Sequence, residues 1–414
     1  MSERTLHEWI RANRRGMIDL QKALTAIPAL APESGGEGEL LKCEALEGAL
    51  ASLGFTEFER RDAVDSRVAS TVRPNLIVTV PGRDRSRSAW IMSHLDVVPP
   101  GELAKWETDP WTCVEKDGRL YGRGVEDNQQ GLVASVFAAL SFLQNGVTPP
   151  VDVKLLFVAD EEVGSRYGIQ HLLTGPSPFR PGDLVLIPDG GDERGESMEI
   201  AEKNLLWLKF VTKGKQTHGS RPDQGANAHL AACDLALRLN ALERSFDKRD
   251  PLFDPDRSTF QPTKKEANVP NVNTIPGEDV LYMDCRILPC YPLAYVRERV
   301  SAIAREVEAS HGVLISWTEE QAVESRPTSP SAPVVTSLAS AISSVYGVSP
   351  RPIGIGGGTV GAYLRNAGID AVVWGKLDET AHQPNEYCVV ENLVGDACVF
   401  ASFILASGER GSAQ

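Results

Sequence analysis

Three acids in a row, Asp160-Glu161-Glu162, follow Val151–Val158 (VDVKLLFV), an apolar, β-branched run that reads as a buried strand. Adjacent anions repel, and a metal cation would let one carboxylate ligate while its neighbour stays free to move protons. A solvated acidic turn is the alternative for an isolated triplet. Two further strand-like runs deliver chemistry in the same way: Ser88–Met92 runs into Ser93-His94-Leu95-Asp96, and Leu184–Pro188 ends at Asp189. Side chains two apart on an extended segment point the same way, so Asp96 is placed to take the second ring N–H of His94 and set its tautomer. A histidine that caps a strand beside an unrelated acid has the same pattern. Asp127, after glycines at 122 and 124, stands at the entrance of a helix marked by Leu132, Val136, Leu140 and Leu143, as a ligand or as an N-cap. His382 lies in Thr380-Ala381-His382-Gln383-Pro384-Asn385-Glu386.

His94, Asp127, Glu162, Asp189 and His382 are the imidazole and carboxylate groups that suit zinc and its first-row neighbours. Five are too many for one catalytic ion with an open position, and about right for two ions sharing a bridging carboxylate and a water. Residue order alone leaves open which of Glu161 and Glu162 faces the metal.

In an open α/β sheet, ligands gather at the carboxyl ends of the strands. Three strands that each deliver an acid or a histidine there predict an α/β catalytic domain with a mostly parallel central sheet. From about Asn204 the pattern changes. Leu205–Val211, Val272–Ile275, Val280–Ile287 and Val313–Trp317 read as strands, and apolar spacing marks helices around Ala228–Leu242 and Val296–Val307. The order β-α-β-β-α-β predicts an inserted ferredoxin-like domain over 204–323, with 1–203 and 324–414 as the two parts of the catalytic domain. Ser245–Asn268 reads as an exposed loop, and Gly354–Gly358 with Thr359 as a glycine-rich turn of the returning α/β part.

The 414 residues, 42% hydrophobic and 24% charged, describe an ordinary globular chain long enough for two domains. A formal charge of −14 argues against a nucleic-acid surface. No run approaches the roughly 18 apolar residues of a membrane span, and Met1–Gly16 lacks the apolar segment of a secretory leader, so a cytoplasmic protein is expected. Seven cysteines without a C-x-x-C pair fit reduced thiols used as small apolar filler. No strand–glycine turn–helix has phosphate-loop spacing.

The ordered motifs Ser-His-Leu-Asp, Gly-Arg-Gly-x-x-Asp-Asn, Asp-Glu-Glu-x-Gly-Ser, Pro-Asp-Gly-Gly, His-Gly-Ser-x-Pro, Asp-x-Arg and Ala-His-Gln-Pro-Asn-Glu resemble the zinc-dependent metallopeptidase and amidohydrolase superfamily. That superfamily includes succinyl-diaminopimelate desuccinylase, acetylornithine deacetylase, aminoacylase and carboxypeptidase G. The resemblance spans about residues 15–405. It implies two Zn2+ per subunit, replaceable by Co2+ or Mn2+, with His94 and Asp189 on one ion, Glu162 and His382 on the other, and Asp127 bridging. It implies Glu161 as the general base and hydrolysis of an N-acyl amino acid or a short peptide, and Asp96, as the partner of His94, is counted with the catalytic residues. The inserted domain would be a lid that also forms a homodimer, with His218 stabilising the oxyanion and Arg286, Asn273 and Gly358 around the substrate carboxylate. Two positions depart from the pattern. Gln129 stands where many members have Lys, and Val360-Gly361 where several desuccinylases have an acid, which bears on specificity for an amine-bearing substrate.

Overall fold

Four apolar runs, Val151–Val158, Asp84–His94, Leu184–Asp192 and Ala371–Lys376, lie side by side as parallel strands. Each is buried over most of its length, as continuous β-branched sequence in a sheet covered on both faces requires. The computed structural model describes residues 3–408. The sheet has eight strands. Glu57–Arg60 and Leu76–Val80 extend it antiparallel beyond Val151–Val158, and Ser197–Glu202 and Arg351–Ile355 lie beyond Ala371–Lys376. The helices Gln129–Gln144 and Val390–Ala406 pack on each other and are buried almost throughout. None of the described helices is long and apolar enough to cross a membrane.

Two compact units divide the chain. One runs through Ile200, takes up again at Thr328–Ile353, and continues from Tyr363; the other is Ala201–Pro327 with Gly354–Ala362. The expected span 324–414 therefore needs a correction at its centre. Gly354–Ala362 groups with the second unit because Lys203 N–H donates to Ile355 O at 2.9 Å, the Arg286 guanidinium to Gly356 O at 2.7 Å, and Thr359 Oγ1 to Glu202 at 2.6 Å. The extreme ends of the expected spans, residues 1–2 and 409–414, lie outside the described residues.

The second unit is a four-stranded antiparallel sheet in the order Thr259–Lys265, Glu278–Ile287, Asn204–Lys213, Leu314–Val323. Helices Ala228–Asn240 and Leu293–His311 complete the β-α-β-β-α-β order. Alternation in Glu278–Ile287 turns Leu281, Met283, Cys285 and Ile287 to the core that Phe210, Phe246 and Phe260 also fill. One expectation is wrong here. The second strand is not Val272–Ile275 but Thr259–Lys265, inside the stretch read as a loop; only Thr274–Ile275 is extended, and it pairs with Thr217–His218 in a separate ribbon. Thr259–Lys265 carries a single buried side chain, Phe260, and a proline at 262 beside a register shift, so it has no apolar alternation to read. Edge strands tolerate both features.

Phe210 is fully buried in that core. Phe210→Ala is expected to lower the opening free energy of the Glu278–Ile287 amides by ~3–5 kcal/mol, the cost of a buried aromatic truncation. Native-state hydrogen exchange reads this directly, and a change under ~1 kcal/mol would show that Phe210 does not hold the unit together.

Candidate metal centre

The carboxyl ends of the four parallel strands carry the chemistry of the first unit. His94 is the last residue of its strand, Asp189 lies near the end of Leu184–Asp192, Glu161 and Glu162 open the turn after Val151–Val158, and His382 lies in the loop after Ala371–Lys376. Asp127 comes from the loop before Gln129–Gln144, where Gly124 at φ +85° stands so close to Val97 that a Cβ would lie 2.5 Å from a Val97 methyl. The Asp127–Asn128 peptide is cis.

The five expected ligands come together. His94 Nε2 lies 2.8 Å from Asp127 Oδ1 and 3.3 Å from Asp189 Oδ1; His382 Nε2 lies 3.0 Å from Glu162 Oε2 and 3.1 Å from Asp127 Oδ2. Asp127 thus stands between the two imidazoles, one oxygen toward each. Ligand atoms of His94, Asp127 and Glu162 all fall within 4.8 Å of one another, and so do those of His94, Glu161 and Asp189. Glu161 and Glu162 therefore part company, Glu161 toward Asp189 and Glu162 toward His382. Beside Asp127 and Asp189 lies a cavity of about 190 Å3, lined also by Gly190, Leu377 and Glu379.

Electrostatics mark the cluster as short of positive charge. Burial raises Glu161 well above the usual carboxylate range, with Asp189 adding to it, and burial likewise raises Glu162 and Asp189. Burial opposes charge on His94, but Asp189 and Asp127 outweigh it and raise its pKa. The hydrogen bonds of Asp127 and Glu162 lift His382 to about 10. Glu162 Oε1 is buried without a partner. A donor set of two imidazoles and carboxylates, with an oxygen left unsatisfied, fits divalent cations, which would take the place of the protons these groups otherwise share.

Residues beside the ligands hold them. Asp96 takes the N–H of Glu161 at 3.1 Å and of Glu162 at 3.0 Å, and its backbone carbonyl lies 2.9 Å from His94 Nδ1, with the carboxylate at 3.4 Å. The tautomer partner expected of the Asp96 side chain is thus chiefly its main chain. Asn128 Nδ2 donates to Asp189 at 2.6 Å. Glu386, fully buried, accepts from the N–H groups of Gly124, Glu126 and Asp127 at 3.0, 2.9 and 3.1 Å and from Arg123 at 2.6 Å. In return Glu126 accepts from Asp378 N–H and Thr380 Oγ1, both at 2.8 Å, and so holds the loop of His382. Asp160 stays out of the cluster and pairs with buried Arg73, which also grips Glu39 and Asp65.

Sequence reasoning assigned no role to Glu386, Glu126, Asn128 or Arg73. The signal for the first three was adjacency: each sits one to four residues from a ligand. Arg73 carried none.

The other four candidates belong to the second unit. His218 pairs in register with Thr274, and Gly219 N–H donates to Asn273 O at 2.7 Å, so His218 and Asn273 share one ribbon. Arg286 spends Nε and Nη2 on Asp284 at 2.7 and 3.0 Å and Nη1 on Gly356 O, beside Gly358.

Residues 90–406 match the family model described as peptidase family M20/M25/M40. Over 400 residues the chain is 38% identical to an uncharacterized metallohydrolase of Methanocaldococcus jannaschii, covering 92% of this chain and 97% of that one. It is 30% identical over 373 residues to a succinyl-diaminopimelate desuccinylase of Cereibacter sphaeroides, covering 89% and 93%. Among solved structures it is similar to a dipeptidase of Saccharomyces cerevisiae at TM-score 0.73, with 16% identity and 99% of each chain covered. It is also similar to a dinuclear metal-binding peptidase of Bacillus subtilis at TM-score 0.63, with 15% identity and 95% and 98% covered. At these identities the structural likeness is one of fold. The resemblance read from the motifs and the α/β architecture are both borne out.

Glu386→Ala leaves three buried N–H groups and a guanidinium without their acceptor. Metal affinity is expected to fall ~10–100-fold, the usual cost of removing a group that orients ligands. Chelator competition measures it, and an unchanged dissociation constant would show that Glu386 does not hold the ligand loop.

Proposed function

The chain belongs to peptidase family M20/M25/M40 and is a metal-dependent hydrolase, and from that footing we propose that it cleaves the amide bond of an N-acyl amino acid. The observation that carries this is Asp127 standing between His94 and His382, with Asp189 and Glu162 on either side. His94 and Asp189 would hold one ion, Glu162 and His382 a second, and Asp127 both. We take the ions to be Zn2+, with Co2+ or Mn2+ as substitutes. Such ions would supply Lewis acidity to a water and to the amide carbonyl.

Glu161 is the base. Burial and Asp189 keep its carboxylate more basic than usual, which suits a proton acceptor. It takes a proton from the attacking water and returns it to the leaving nitrogen. Asp96 fixes the turn that presents Glu161, through the two backbone N–H groups it accepts.

Arg286 and Asn273 are proposed to bind the substrate carboxylate, His218 the developing oxyanion, and Gly358 to leave room for the substrate. Two guanidinium N–H groups of Arg286 are not spent on Asp284 or Gly356, enough for a paired grip on a carboxylate. Homodimerisation through this unit is part of the proposal, supported by the outer strand Leu314–Val323 and by exposed Leu230, Leu237 and Leu314. Seven free cysteines support a reducing, cytoplasmic setting.

Glu161→Gln is expected to lower turnover ~10²–10⁴-fold while two ions per chain remain by elemental analysis. Loss of an ion with the substitution would make Glu161 a ligand, and unchanged turnover would end its role as base. A mass-spectrometric screen of N-acyl amino acids against dipeptides, with zinc, cobalt or manganese added back, tests the substrate class. Cleavage of dipeptides alone would replace the deacylase reading by the dipeptidase or carboxypeptidase one.

A further inference from the structure

Three of the four parallel strands begin at a second cavity, at the end away from the metal centre. Its volume is about 470 Å3, within the range of small-molecule sites, and every residue that lines it belongs to the first unit. Arg87 stands on Asp84–His94, Leu184 opens Leu184–Asp192, and Asp370 immediately precedes Ala371–Lys376. Along its strand Arg87 is on the order of 20 Å from His94, so a ligand held here does not touch the metal-facing groups.

Local geometry turns charge into this cavity. Asp84 pairs with Val151 and Ser88 with the next residue, Asp152, so the strand bulges between them and Arg87 leaves the ladder to line the cavity. Gly182, at φ +86°, lies beside the Arg87 stem, where a Cβ would stand 3.4 Å from Arg87 Cδ. Asp183, buried, accepts from Ser88 N–H and Trp90 Nε1 at 2.7 Å each and from Arg180 N–H at 2.9 Å, and so fixes the loop around the opening. Phe179 packs on Trp90 with ring centroids 4.6 Å apart, and together with Leu173, Pro333 and Ile369 it gives the cavity an apolar wall.

The protein matches the Arg87 guanidinium poorly. Its side chain is 23% exposed, yet the acceptors it meets are Asp84 at 3.7 Å and Ser407 O at 3.5 Å, beyond the roughly 2.7–2.9 Å of a charged donor. Arg180, exposed at the rim, gives Nη1 to Arg85 O at 2.7 Å. The 14-residue helix Pro333–Tyr346 starts at the same place without a side-chain cap, so its positive end adds to the two arginines. Of the two acids in the lining, Asp183 is spent on the loop and Asp370 is exposed.

From these features we infer that the cavity binds a free α-amino acid with an apolar side chain. Arg87 and Arg180 take its carboxylate, Asp370 its ammonium, and the wall of Phe179, Leu173, Pro333 and Ile369 its side chain. A phosphate would gain from the arginines, but it would meet Asp370 and leave the wall unused. The inference does not depend on the reaction proposed at the metal centre.

The probe is the diazirine analogue of leucine, irradiated with the full-length, metal-loaded chain, and its adducts are located by peptide mass mapping. They are expected on peptides carrying Phe179–Leu184 or Ala367–Asp370. Excess leucine should remove them, whereas leucinamide, which lacks the carboxylate, should not. In calorimetry Arg87→Met should weaken leucine about tenfold or more, and Arg180→Met, at an exposed position, should weaken it as well. Asp370→Asn should weaken leucine and leave 4-methylpentanoate, which has no ammonium, unchanged. Far-UV circular dichroism and hydrolase turnover are expected to stay as they were in all three variants. Labelling confined to the peptides of His94, Asp127, Glu161 or His382, or absent altogether, overturns the inference. So does leucine binding that survives both arginine substitutions at native strength.

Discussion

Gathering four carboxylates, Asp127, Glu161, Glu162 and Asp189, in one buried place is the constraint on which the first unit depends, because like charges in a medium of low polarity repel strongly. The chain meets it by having each ligand loop gripped by an acid or amide that belongs to another. Asp96, two residues past His94, binds the turn of Glu161 and Glu162. Glu386, four past His382, binds the loop of Asp127; Glu126, next to Asp127, binds the loop of His382. Asn128 on the other side of Asp127 binds Asp189. Carboxylates accept from backbone N–H groups in three of the four grips, so the supports hold backbone rather than mobile side chains. His382 at φ +63° and Asp160 at φ +68° sit in left-handed backbone, conformations that only a surrounding set of such bonds sustains.

Much of this was legible in the sequence because parallel strands covered on both faces must be apolar without interruption. Val151–Val158 and Leu184–Pro188 stand out for that reason, and whatever follows such a strand lies at a ligand-binding end. Thr259–Lys265 was invisible for the converse reason. As an outer strand it buries only Phe260, carries a proline, and looks like the loop around it. The place of Gly354–Ala362 in the second unit was equally hidden, since three hydrogen bonds to partners at positions 202, 203 and 286 decide it and leave no local trace.

At the site, position after a strand pointed to His94, Asp189 and the Asp160–Glu162 triplet, Asp127 stood out at a helix entrance and His382 by its residue type, and only the family resemblance parted Glu161 from Glu162. They are neighbours with the same chemistry, and only the turn held by Asp96 sends one toward Asp189 and the other toward His382. The triplet also contained a member of a different kind. Asp160 serves the fold, through Arg73, rather than the ion site.

That difference leads to the charge arrangement beneath the centre. The buried cations Arg73, Lys42 and Arg123 lie among acids outside the five-residue cluster. Arg73 pairs with Glu39, Asp65 and Asp160; Arg123 pairs with Glu386; Lys42 faces Asp96, Glu39 and Glu386. Burial pulls Lys42 down to about 8, against the pull of those three acids. Five acids, Glu39, Asp65, Asp96, Asp160 and Glu386, thus share these three cations, and Asp96, Asp160 and Glu386 also accept backbone N–H groups. Asp127, Glu161, Glu162 and Asp189 have two imidazoles beside them, and among the described residues none of these three cations pairs with them. With those cations spent on Glu39, Asp65, Asp160 and Glu386, the carboxylates of Asp127, Glu161, Glu162 and Asp189 are left to accept divalent ions.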